Sequence, residues 1–282
     1  YPDTSSSRRQ GMDGEETGGR TPDLGAPRQA KMMRIGCKVD ALESCDSTND
    51  CAAEWARSGA EEGSVVVARA QTRGRGTKGR VWHSPPGAGL YMSIILRPDR
   101  PDLSPLPNAA GLGVRDEIFE AAGLRVGLKW PNDLVWGGRK LGGILCEAGA
   151  SGRGGRFAVV GIGLNLDQEE SDFPEDIRPT AVSLRMGGGW DGSVERLASA
   201  VWAGLDRRYA DFRDGRTREL IESYRAASTF SEGTVLTLRR SDGGVVRGRW
   251  AGFDERGGLV LDLPDGRAAF FSAEAVSVER SG

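Results

Sequence analysis

The stretch 157–166 constrains the fold more than any other part of the chain. Ala158, Val160, Ile162, Leu164 and Leu166 fall on one side of a two-residue alternation, and Phe157, Val159, Gly161, Gly163 and Asn165 on the other. An extended chain sends alternate side chains to opposite faces. The wholly apolar side therefore packs on a core. The other side, stripped of side chains at Gly161 and Gly163, lets a backbone or some other group approach closely.

Strands and helices interleave around this segment. Ser47, Thr48, Asn49 and Asp50 offer side-chain oxygens to cap a short helix in which Ala52, Trp55 and Ala56 share a face, and Gly59 ends it. Residues 65–68 read as a buried strand, and 89–96 resume strand character after a Gly- and Arg-rich loop. Residues 103–122 read as a helix packed on the sheet. Val126, Leu128 and Trp130 alternate with Arg125, Gly127 and Lys129 until Pro131 stops the ladder, which puts Lys129 opposite the apolar side. Gly137-Gly138 between 134–136 and 141–146 signals a hairpin. Helical patterns cover 194–212 and 217–226. From Ser228 the texture changes to short strands at 235–238, 245–250, 259–263 and 268–271, separated by Gly-rich turns, which suggests a small β-barrel.

Residues 1–34 hold Ser, Gly, Pro, Arg and Glu with Tyr1 as their only aromatic, and are expected to be a disordered tail, with Met32 or Met33 as a candidate start. The 282 residues suffice for a sizeable core. No run of eighteen apolar residues and no signal-peptide pattern is present, so a cytoplasmic protein without membrane association is expected. A formal net charge of −2 argues against wholesale nucleic-acid binding. Cys37, Cys45, Cys51 and Cys146 match no zinc or disulfide spacing and are expected to be reduced and mostly buried. His83 is the only histidine, which argues against a His-ligated metal and a Ser-His-Asp triad, so no protein metal site is expected.

Chemistry must then come from Lys, Arg, Asp and backbone amides. Arg69, Arg73, Arg75, Lys78 and Arg80 stand within 69–80 without an anion and are interleaved with Gly74, Gly76 and Gly79. Glycine lets N–H groups point into one concavity, and guanidinium forks match phosphate or carboxylate. The ligand of such a loop is an anion. The glycines also spell G-x-G-x-x-G, but Pro85 and Pro86 forbid the helix a dinucleotide fold needs, and a kinase catalytic loop is missing.

Further motifs follow in order: Ser47-Thr48-Asn49, the Gln71–Arg80 loop, Trp82-His83-Ser84-Pro85-Pro86-Gly87, Lys129-Trp130-Pro131-Asn132-Asp133, Arg139-Lys140-Leu141-Gly142-Gly143-Ile144-Leu145 with Glu147, and Gly161-Ile162-Gly163-Leu164-Asn165. Over residues 43–166 this succession resembles the biotin protein ligases, and the likeness continues more loosely to the C-terminus. It implies an α+β catalytic domain over 35–228, with a mixed, mainly antiparallel sheet like that of class II aminoacyl-tRNA synthetases and biotin ligases. A small SH3-like β-barrel over 229–282 would follow. The implied reaction is ATP-dependent activation of biotin to biotinyl-5'-AMP, then transfer to a lysine of a biotin carboxyl carrier domain such as that of acetyl-CoA carboxylase.

The resemblance also implies roles. Lys140 contacts the biotin carboxylate and the phosphate at the reacting centre, and Arg75 with its loop (Gly74, Gly76, Thr77) closes over carboxylate and adenylate. Lys129 and Asn132 bind the nucleotide, with Asp133 orienting cations or Mg²⁺. Ser47, Thr48, Asn49 and Gln71 meet the ureido group, and Gly143 leaves room for the bicyclic ring. Arg80, Trp82 and Asn165 belong to the adenylate side, Trp82 as a wall and Asn165 against adenine. Relatives often carry arginine where this loop has Thr77, so retention of the adenylate is expected to be looser here. Some relatives repress transcription through an N-terminal helix-turn-helix; residues before Ile35 are too few and too polar for that module, and no DNA binding is expected. Dimerisation is common in the family, and the sequence identifies no edge strand for it. A lipoate ligase of the same core is the nearest alternative, but its usual Gly-Gly-Gly and His-Asp signatures are missing.

Overall fold

The computed structural model describes residues 35–152, 155–188, 190 and 192–281, so the tail expected over 1–34 lies outside the described residues. Seven strands form the principal sheet: β1 (Val39–Leu42), β2 (Val65–Ala68), β3 (Gly89–Leu96), β4 (Gly127–Lys129), β5 (Asp133–Trp136), β6 (Arg139–Ala150) and β7 (Arg156–Asn165). Their order is β1-β2-β3-β7-β6-β5-β4, parallel only between β1 and β2. The expected α+β architecture on a mixed, mainly antiparallel sheet is therefore present.

The alternation in β7 decides which helix covers which face. Ala158, Val160, Ile162 and Leu164 join the main core, which also holds the buried faces of α2 (Leu106–Ala122), α3 (Val194–Arg213) and α4 (Thr217–Ala226). Phe157 and Val159 turn the other way and meet Ala52 and Ala56 of α1 (Thr48–Arg57). Beyond them that face carries Gly161 and Gly163, where the helix gives way to a cavity. Helix α2 starts later than 103 because Pro105 and Pro107 fit only its first turn. Strand β1 carried no sequence signal: it is an edge strand, largely exposed, without an apolar face.

The C-terminal strands β8 (Val235–Arg240), β9 (Val245–Phe253), β10 (Leu259–Leu263), β11 (Gly266–Phe270) and β12 (Ala275–Arg280) form a wholly antiparallel sheet ordered β11-β10-β9-β8-β12. The edge strands β11 and β12 do not pair, so no closed barrel is found among the described residues. This sheet shares the main core through Leu236, Trp250 and Leu259. Trp130 Nε1 donates to the Gly257 carbonyl at 3.0 Å, and Arg256 Nε to Asp102 Oδ2 at 2.9 Å. No described helix is long and apolar enough to cross a membrane. The expected burial of the cysteines does not hold: Cys37 is exposed and the other three are half-buried, all as free thiols.

Candidate active site

A cavity of ≈ 260 Å³ opens over the glycine-cleared end of β7. One wall is a hydrogen-bonded chain of side chains. Gln71 Nε2 donates to Ser84 Oγ at 2.9 Å, while Gln71 Oε1 accepts from the Thr48 amide at 2.9 Å and the Thr48 hydroxyl at 3.2 Å. Ser93 Oγ, fully buried on β3, lies 2.8 Å from Thr48 Oγ1 and 2.6 Å from Asn49 Oδ1. Its single proton satisfies one acceptor at a time. Ser47 stands at the N-cap of α1, yet its side chain makes no capping bond. At 2% exposure it is buried against the cavity that it helps to line.

Two glycines make this wall possible. A Cβ on Gly161 would lie 2.1 Å from Asn49 Oδ1, and one on Gly163 2.6 Å from Trp82 Nε1. The Trp82 indole thus lies flat in the space a side chain on β7 would take. Lys140 Nζ stands 5.4 Å from the Trp82 ring centroid, within cation–π range. The same ammonium is 2.6 Å from Asp133 Oδ1 across the β5–β6 pair.

The cationic loop supplies the roof. Arg75 donates to Glu147 at 3.0 Å and to Asp50 at 2.6 Å. Burial works against its charge, but the Glu147 and Asp50 carboxylates outweigh it and raise its pKa, so the guanidinium stays a fixed cation. Arg80 folds back on the loop, with Nη2 donating to Thr77 Oγ1 at 2.8 Å. Lys78, the one described non-glycine residue with positive φ (59°), reaches the Ala273 carbonyl of the C-terminal sheet.

Of the residues singled out in the sequence, Ser47, Thr48, Asn49, Gln71, Arg75, Gly76, Thr77, Arg80, Trp82, Asn132, Lys140, Gly143 and Asn165 line this one cavity. Three do not. Gly74 is buried beneath the loop, where a Cβ would meet the Trp82 carbonyl at 2.6 Å. Asp133 stands outside the lining, paired with Lys140. Lys129 is half-buried outside the lining and makes no ion pair with Asp133, because Lys140 occupies that carboxylate. Asn165 Nδ2 donates to the Val182 carbonyl at 3.1 Å and to the Lys140 carbonyl at 3.5 Å, which leaves Oδ1 as the amide atom open to a ligand. The orphan acceptor Asn132 Oδ1 is buried, while its Nδ2 holds the Ile144 carbonyl at 2.8 Å.

Sequence reasoning missed Phe173, Ile177, Thr180 and Ala181, which close the far side of the cavity. They come from an irregular segment after β7 with no periodicity to read. It is held by the Lys140 amide donating to the Thr180 carbonyl at 2.6 Å and the Val182 amide donating to the Lys140 carbonyl at 3.0 Å. Val81 and His83 also line the cavity.

The arrangement joins a polar pocket, a flat indole wall and three cations, Arg75, Arg80 and Lys140, around one cavity, which suits an organic acid that must meet a phosphate. The comparisons agree with that class: the model described as "Biotin/lipoate A/B protein ligase family" matches residues 41–167. The chain is 35% identical over 255 residues to "Bifunctional ligase/repressor BirA" of Bacillus subtilis, covering 86% of this chain and 77% of that protein. It is 33% identical over 243 residues to "Biotin--[acetyl-CoA-carboxylase] ligase" of Mycobacterium tuberculosis, covering 84% and 87%. The Aquifex aeolicus biotin protein ligase solved with biotin and ATP superposes with a TM-score of 0.75 at 29% identity, over 87% of this chain and all of that one. This chain belongs to the biotin protein ligase family.

Proposed function

We propose that this chain is an ATP-dependent biotin–protein ligase, making biotinyl-5'-AMP and passing biotin to a lysine of a carrier domain. The observation that carries it is the convergence of Arg75 and Lys140 on a single cavity whose opposite wall is neutral and hydrogen-bonding. Biotin has the matching polarity, with a ureido group at one end, an apolar bicycle, and a carboxylate at the end of a chain.

In the first step a carboxylate oxygen attacks the α-phosphorus of ATP and the bond to pyrophosphate breaks. Two anions must touch, so fixed cations at the junction lower the barrier. Lys140, oriented by Asp133, and Arg75 fill that role, with Arg80 nearby. Ser47, Thr48, Asn49 and Gln71 take the ureido end, and Gly76, Thr77 and Gly143 shape the space between. Trp82, Asn132 and Asn165 border the adenylate, with Asn165 accepting through Oδ1; Lys129 would act only on the outer phosphates, from outside the cavity. In the second step the acceptor's neutral amine attacks the acyl carbon, and AMP leaves with the bridging oxygen.

The protein's donors do not fit a resident Mg²⁺. Asp133 faces an ammonium, and no group of three His, Cys, Asp or Glu converges among the described residues. In this reading Mg²⁺ arrives chelated by the phosphates of ATP. The division at 228/229, an SH3-like C-terminal domain, a cytoplasmic location and a homodimer remain parts of the proposal. The fall of residue 228 between α4 and β8 supports the first of these, and the antiparallel β8–β11 meander with β12 returning to β8 supports the second. The acceptor proposed is the biotin carboxyl carrier domain of a biotin-dependent carboxylase, and DNA and membranes are left out of the partners.

Incubation with ATP, Mg²⁺ and either biotin or lipoate, followed by pyrophosphate release and by mass gain on a carrier domain, tests the reading. Biotin-dependent turnover is expected. Turnover with lipoate and none with biotin would reassign the acid.

A further inference from the structure

We infer that Glu147 is the positioning residue that fixes the cationic loop and the Asn49 amide to one another before any ligand arrives, an inference that rests on the cavity being the biotin site. Glu147 is not itself part of the cavity lining, whereas Arg75 and Asn49 are. It acts through them. Arg75 Nη1 donates to Oε1 and Nη2 to Oε2, each at 3.0 Å, and Asn49 Nδ2 donates to the same Oε2 at 2.7 Å. One carboxylate thus ties the loop to the N-terminal turn of α1.

The carboxylate springs from a strand fixed by its neighbour, because Glu147 stands opposite Val159 within the continuous pairing of β6 with β7 over 142–150. The orientation of the Asn49 amide follows from its bond to Glu147: a carboxylate only accepts, so the nitrogen must face Glu147, and Oδ1 is left to Ser93 Oγ at 2.6 Å. A bidentate guanidinium–carboxylate pair sets direction as well as distance. Making it during folding spares the ligand the entropy of ordering the loop.

The pair also leaves Arg75 available. With Asp50 included, three of its five donors are engaged, and Nε–H and one Nη1 hydrogen remain. The side chain is still 38% exposed. Positioning therefore outweighs competition: the carboxylate grips the end of the fork and leaves its flank to an incoming anion.

The test compares Glu147→Ala and Glu147→Gln with the unchanged full chain. Biotin-dependent pyrophosphate release is measured at varied biotin and varied ATP, and amide hydrogen exchange of residues 72–82 is measured without ligand. Glu147→Ala is expected to raise KM for biotin about tenfold, the scale of one lost charge-assisted hydrogen bond, while kcat and KM for ATP stay within about threefold. Loop exchange should quicken in the ligand-free protein. Glu147→Gln, which keeps volume and an acceptor for Asn49, should fall between and guards against a folding defect in the alanine variant. An unchanged or lower KM for biotin would overturn the inference, as would equal losses in kcat and both KM values or unaltered loop exchange. Absence of biotin-dependent turnover in the unchanged chain would instead defeat the biotin reading, and the exchange comparison would still decide whether Glu147 positions the loop.

Discussion

Gly161 faces Asn49 so closely that a Cβ on the glycine would stand 2.1 Å from Asn49 Oδ1. The amide cannot retreat cheaply, since Ser93 holds its oxygen at 2.6 Å and Glu147 its nitrogen at 2.7 Å. Strand β7 thus shapes the cavity by lacking side chains.

Gly161→Ala should therefore destabilise the protein by about 1–3 kcal/mol through overpacking and displace Asn49. Gly152→Ala, at an exposed site with nothing within 4 Å of a Cβ, should stay within about 0.5 kcal/mol. Thermal or urea unfolding reads both. Adding Asn49→Ala to Gly161→Ala should recover part of the loss, because the clash needs both partners. Strict additivity would show that the crowding is relieved elsewhere.

The Asp133–Lys140 pair makes a second forecast. Lys140→Ala should lower kcat for biotin-dependent pyrophosphate release by about 10²–10³-fold, the usual cost of removing one stabiliser of developing charge. Lys140→Arg should not restore it, since a planar fork cannot occupy the place of a compact ammonium between Asp133 and the Trp82 ring. Asp133→Ala should cost about tenfold or more by leaving the ammonium unoriented. Wild-type rates in Lys140→Ala would remove this lysine from the chemistry.

Thr77 provides a third. It holds Arg80 back on the loop, with Nη2 donating to Oγ1 at 2.8 Å, and supplies no charge of its own. Thr77→Arg should slow escape of biotinyl-AMP after a single turnover by about fivefold, the worth of one partly exposed charge-assisted contact. Quenched-flow trapping of free adenylate measures it, and equal escape from both proteins would show that residue 77 does not govern retention.

The contact between Asp102 and Arg256 predicts a pH effect. Burial pushes the Asp102 carboxyl up, but the Arg256 guanidinium and the Ser104 hydrogen bonds outweigh it and hold its pKa at about 2, below the ordinary 3.8. A carboxyl depressed on folding stabilises the folded state above its unfolded pKa, and that contribution fades as pH falls from about 3.8 towards about 2. Asp102→Asn should flatten the fall in the urea midpoint over this window and leave its shape unchanged above it. An identical acid limb in both proteins would mean that the pair does not link folding to pH.

The sequence by itself determined which residues alternate and which loop carries charge, and hence most of the strands and the four described helices, while the thirteen cavity-lining residues were singled out through the resemblance of its motifs to the biotin protein ligases. Periodicity and glycine placement act locally, so they can be read without coordinates. Three-dimensional packing decided the rest. The edge strand β1 lacks a buried face and so lacks a pattern, and β12 pairs only once β8 is in place. Whether Lys129 or Lys140 would take Asp133 depended on the pairing of β5 with β6 across the β-bulge, which brings Lys140 to that carboxylate. Phe173, Ile177 and Thr180 reach the cavity only because backbone bonds to Lys140 fold an irregular segment over it. A residue's own neighbours in the chain set its conformation, but its partners across the cavity are set by how separate elements pack, and no local pattern encodes that.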